Sequence, residues 1–141
     1  MKQTDIYTEA LLSLRTILQI DHPEFKNWIE WLNQDINDWI QWKDVSHHLQ
    51  AYGGMGSFND LPYMKGDHDY IFGFLKSVCY AFGHLYHKRQ DVTTEALMEE
   101  CTYDAAQAAY HQKKELNQAI VKHLIEGDLH ENLDSLQENS P

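Results

Sequence analysis

At 141 residues the chain fits one domain of ordinary size. A composition of 43% hydrophobic and 12% aromatic residues excludes global disorder and supplies a core that needs neither disulfide nor metal. With 11 basic against 22 acidic residues, net −11, the chain lacks the cations that binding to nucleic acid or an anionic membrane requires.

Three prolines and a scarcity of Val and Thr predict an all-α fold. Ile6, Ala10, Leu11, Leu14, Ile17 and Leu18 recur at helical spacing and predict a first helix over residues 4–19. Asp21, Pro23 and Glu24 read as the start of a second helix, with Asp21 as cap and Glu24 closing a capping box. Its stripe is Phe25, Trp28, Ile29, Leu32, Ile36, Trp39 and Ile40, running to about residue 42. Trp28 and Trp39 share the core face. Trp31 and Trp42 sit to one side, where indoles can serve as contact residues for a partner.

A third, short helix is expected over 44–52, ended by Gly53 in the left-handed conformation. A glycine-rich loop follows, to residue 66. Gly53, Gly54, Gly56, Asn59 and Asp60 are read as its structural residues, with Met55, Phe58 and Leu61 beneath it. The loop has no Gly-Lys-Ser/Thr ending and follows a helix, which excludes a P-loop and a dinucleotide fingerprint. Ser57 lacks the second glycine and the preceding strand of a nucleophile elbow.

The run Tyr-Gly-Gly-Met-Gly-Ser-Phe-Asn-Asp-Leu, residues 52–61, resembles the signature of an uncharacterised family of small bacterial proteins. Trp28-Ile-Glu-Trp31-Leu32 matches the Trp-x-x-Trp-Leu-like stretch that often precedes that signature. The resemblance covers about residues 11–85 and implies no established activity. It implies a small acidic protein of the kind encoded near polymorphic toxins, and so an immunity role.

Asp67 is expected to cap a fourth helix, with Asp69 in its first turn and a stripe of Ile71, Phe74, Leu75, Val78, Phe82 and Leu85. Thr93 caps a fifth, which continues to Glu126 in one piece or two, with any break near 113–117. Gly127 ends it, and residues 128–141 read as an acidic, frayed tail, with a docked last turn of Leu129, Leu133 and Leu136 as the alternative. The expected architecture is therefore about five helices around one core, a single domain over 1–127, with the glycine-rich loop after the third helix.

Cys79 and Cys101 stand alone and read as reduced core residues. No apolar stretch is long enough to span a membrane and no signal peptide is visible, so the expected location is the cytoplasm. Of the histidines, His84 and His87 share one helical face and give the alternative function, a metal-binding protein or hydrolase. The others read as solvated or capping side chains. No cofactor, catalytic residue or established metal set is assigned.

The favoured function is a non-enzymatic protein-binding domain that neutralises a cognate, basic, nuclease-like toxin, with a regulatory or scaffold module as a further alternative. Two acidic surfaces carry that reading: Asp60, Asp67 and Asp69 beside the loop, and Asp91, Glu95, Glu99, Glu100 and Asp104 along the fifth helix. Trp31, Trp42 and Phe58 are the candidate apolar contacts.

Overall fold

The computed structural model describes residues 4–53, 56–109 and 113–136. Among them the chain forms helices and no strand: α1 (Ile6–Asp21), α2 (Lys26–Trp42), α3 (Ser46–Leu49), α4 (Asp67–Leu85), α5 (Thr94–Ala108), α6 (Lys114–Glu126) and α7 (Leu129–Leu136). A short 3₁₀ turn, Phe58–Asp60, interrupts the long connection before α4. No helix is long and apolar enough to cross a membrane.

α1 is the centre of the molecule. Asp5 caps it by accepting from the Thr8 amide at 2.7 Å. Ile6, Leu11, Leu14, Ile17 and Leu18 are fully buried, so a wide arc of the helix is covered by other elements. α2, α4 and α7 pack directly on it, and α5 and α6 complete the shell. At one end the aromatic residues Tyr7, Trp39, Phe82 and Tyr86 interlock, with Tyr7 and Trp39 edge-on at 5.0 Å. Cys79 and Cys101 are free thiols in this interior.

Several element boundaries differ from the expectation. Asp21 does not cap α2. It is the last residue of α1, buried, and its carboxylate accepts from the Lys65 amide at 2.9 Å and faces His68 Nδ1 at 3.0 Å. Tertiary bonding has taken the side chain that local pattern assigned to a cap, and α2 begins behind Phe25 with no side-chain cap. α3 is a single turn, because Asp44 folds back onto Ser46 and the turn is over by Leu49. Gly53, placed as the end of that helix, takes φ +101° four residues further on. Asp67 is the first residue of α4, with Gly66 in the cap position at φ +54°.

The long predicted fifth helix is two helices, parted between Ala108 and Lys114. Thr93 caps the first of these by accepting from the Ala96 amide at 3.1 Å. Gly127, at φ +79°, closes α6, with its amide and that of Asp128 both reaching the His123 carbonyl.

Residues 129–136 are a helix and not a frayed tail. Leu129 and Leu133 bury themselves against the core, and the His130 amide donates to the buried Glu9 carboxylate at 2.6 Å. Glu9 also accepts from Ser13 and from Thr4. A fully buried carboxylate needs such partners, and α7 supplies two of them through His130.

Candidate partner-binding surface

The histidines show how the molecule uses its acids. His47 and His48 are neighbours on the one-turn α3, and both direct Nδ1 at the same buried carboxylate on α2. His47 lies 2.5 Å from Asp35 Oδ1 and His48 lies 2.7 Å from Asp35 Oδ2. His48 Nε2 lies 2.7 Å from the Tyr52 hydroxyl, which also reaches the Lys76 carbonyl at 3.4 Å. Burial raises the Tyr52 phenol pKa well above its ordinary value, so this hydroxyl stays a donor. His22 and Glu24, Asp21 and His68, His123 and Asp128, and Glu9 and His130 repeat the pairing elsewhere. These side chains were expected to be solvated or capping. Most of them instead tie one element to the next. No sequence period marks such pairs, since the partners lie up to 121 residues apart.

His84 and His87, the pair expected for a metal, are exposed and rest against aromatic rings, Tyr80 at 4.2 Å and Tyr86 at 4.8 Å. Among the described residues they join no group of three donors close enough to share an ion.

The acidic residues read as partner contacts are in unequal states. Near the loop, Asp60 accepts from the Gly56 amide at 2.7 Å and Asp69 from the Met64 amide at 3.0 Å. Asp67 is buried and paired with Lys113 at 2.8 Å. Asp60 and Asp69 therefore hold the connection between α3 and α4, while Asp67 ties the start of α4 to the start of α6. On the other surface, Asp91 and Glu100 grip Arg89 from two sides, at 2.9 and 2.7 Å. The Arg89 guanidinium beside Asp91 holds that carboxyl below the usual range, and its own pKa is raised by Asp91 first and Glu100 second. Glu95 and Asp104 are exposed, with Glu99 half-buried between them.

The aromatic contacts also divide. Phe58 has 0% exposure and sits under the loop against Trp28 and Phe72. It offers no surface to a partner, because the 3₁₀ turn points its ring inward. Trp31 is half-buried, stacked on His47 at 4.1 Å, its indole nitrogen without a hydrogen-bond partner. Trp42 is 74% exposed at the end of α2, with Ile40 beside it at 57%. Lys43 follows in a left-handed conformation, φ 53°, and its ammonium lies 4.8 Å over the Trp39 ring. Gly54 lies outside the described residues; Gly53, Gly56 and Asn59 are exposed.

Several surface concavities result among the described residues. One, of about 460 Å³, is lined by Asp5, Trp39, Lys43, Tyr86, Glu95 and Met98, and so joins the end of α2 to the start of α5. Its floor is fixed: Trp39 Nε1 donates to Asp5 at 3.2 Å and Tyr86 meets the same indole edge-on at 5.2 Å. A second, also about 460 Å³, lies over the loop between Trp28, Trp31, Gln50, Gly53, Gly56 and Ser57. The largest, about 540 Å³, is an apolar groove between α5 and α6 lined by Tyr103, Ala106, Val121 and Ile125. The first sets the buried indole of Trp39 and the Lys43 side chain opposite the start of α5 at Thr94 and Glu95. Neither hydropathy period nor charge count locates it, since it depends on how α2 and α5 meet.

A family model described as a domain of unknown function (DUF6966) matches residues 21–71. That span contains both members of the Asp21–His68 pair and the whole Asp35–His47–His48–Tyr52 cluster. No curated protein and no solved structure matches the chain.

Proposed function

We propose that this chain is a cytoplasmic protein-binding domain that neutralises a basic, nuclease-like toxin by direct contact. The observation that carries the reading is Trp42, left 74% exposed at the end of α2. Large exposed indoles are uncommon on a monomer and are frequent anchors of interfaces. The net charge of −11 favours a cationic partner and speeds its encounter. The toxin assignment rests on the resemblance of the residue 52–61 signature to small acidic proteins encoded beside toxins.

The contact surface on this reading is Trp42, Ile40, Glu95, Glu99 and Asp104. Asp60, Asp69 and Phe58 belong to the scaffold that fixes the loop, and Asp67 is taken up by its pair with Lys113. The direct test is co-expression with the product of the neighbouring gene. Rescue of growth, and a complex that Trp42→Ala weakens by tenfold or more, about 1.4 kcal/mol or greater, support the proposal. A neighbour that is neither toxic nor bound contradicts it.

A further inference from the structure

The geometry points to a zinc site at the joint between α6 and α7, formed by His123, Glu126 and Asp128. The three donor atoms lie within 4.8 Å of one another. His123 Nδ1 is 2.8 Å from Asp128 Oδ1 and 4.0 Å from Glu126 Oε2. Zinc bonds of about 2.1 Å in a tetrahedron put its ligand atoms roughly 3.4 Å apart. The observed separations bracket that value, so small side-chain rotations close the set. One imidazole and two carboxylates then leave a fourth position for water.

The backbone that carries these donors is tightly held. Gly127, in the left-handed conformation, turns the chain so that the Asp128 amide reaches back to the His123 carbonyl at 3.0 Å. Asn132 holds the Asp128 carbonyl from the next turn at 2.8 Å, and Thr4 reaches the Gly127 carbonyl from the N-terminal side at 3.3 Å. The ligands thus come from both sides of a fixed turn. This distinguishes the group from His84 and His87, which join no such set of three donors among the described residues. Bound zinc replaces the His123–Asp128 hydrogen bond, takes the imidazole through Nδ1 and moves its proton to Nε2. It clasps α7 to α6 and stabilises the docked α7. This inference is independent of the toxin reading.

Calorimetric titration of zinc chloride into untagged protein tests it. The expected result is one equivalent bound and a melting temperature that rises with the logarithm of free zinc. His123→Ala abolishes the event, and the His84→Ala/His87→Ala double variant retains it. Should His123→Ala fail to fold, Glu126→Gln decides: Glu126 is exposed, and its replacement weakens binding about tenfold or more. Absence of stoichiometric uptake by the wild type overturns the inference. So does unchanged affinity in Glu126→Gln, or loss of binding in the His84/His87 variant.

Discussion

Asp35 on α2 accepts from His48 on α3 at 2.7 Å, with the two side chains 0% and 1% exposed. The same carboxylate holds His47, and His48 passes the chain of bonds to Tyr52. One buried acid therefore fixes the whole entry to the loop that carries Phe58. Removing it leaves two imidazoles short of an acceptor in the interior. Asp35→Ala should destabilise the domain by about 3 kcal/mol or more, since breaking a buried pair strands its partner. Tyr52→Phe should cost only about 1 kcal/mol, the ordinary worth of one hydrogen bond. Urea unfolding of both variants checks the order, and equal losses would contradict the network as described.

Asp21 joins the end of α1 to the start of α4 through the Lys65 amide and His68. In Asp21→Ala, that amide loses its acceptor. Hydrogen exchange at Lys65 should accelerate by at least about tenfold, while amides in the middle of α1 respond only through the global loss of stability. Exchange at Lys65 that tracks the α1 amides would show that the bond is not a local tie.

Alkaline pH should unfold the protein from a predictable point. Burial raises the Tyr7 and Tyr52 phenols and the Cys79 thiol well above their ordinary values, and pushes the Cys101 thiol up to about 11. The folded state holds these protons more tightly than the unfolded chain does. The stability they confer is full below the unfolded thiol value of about 8.5. It is lost as pH rises from there through about 11. The melting temperature should be level from pH 7 to 8 and fall steadily above about pH 9. A level profile to pH 11 would mean that these groups reach solvent without unfolding.

Arg89 masks Asp91 and Glu100, two carboxylates of the acidic surface read from the sequence around the fifth helix. The cluster is at the surface, so Arg89→Ala should change stability little. It exposes both charges and should quicken association with a basic partner at low salt. A slower association would place Arg89 in the contact itself.

The amphipathic helices were legible because their cores repeat at helical period, as in Ile71, Phe74, Leu75, Val78 and Phe82 of α4. The caps at Thr93 and Gly127 were legible because each is a local bond within a few residues. Asp21 was misread because a local capping pattern and a long-range bond to residues 65 and 68 compete for one side chain, and burial favours the latter. α7 was misread for a related reason. Its leucines were visible in the sequence, but the bonds of His130 to Glu9 at the other end of the chain, which help to dock it, were not. Trp42 was named from its position beside the core stripe, and it is 74% exposed; the concavity lined by Trp39 and Glu95 was not legible, because it depends on how α2 and α5 lie together.

The central claim is that an acidic surface anchored by Trp42 meets a cationic protein. Its most direct test is the association rate with the partner found by co-expression, measured at about 0.1 M and about 1 M salt, where the Debye length falls from about 10 Å to about 3 Å. The rate should drop steeply with salt, and should drop at low salt when Glu95, Glu99 and Asp104 are all replaced by Lys. Trp42→Ala should act instead on dissociation. An association rate that is independent of salt and of those three carboxylates would contradict the account.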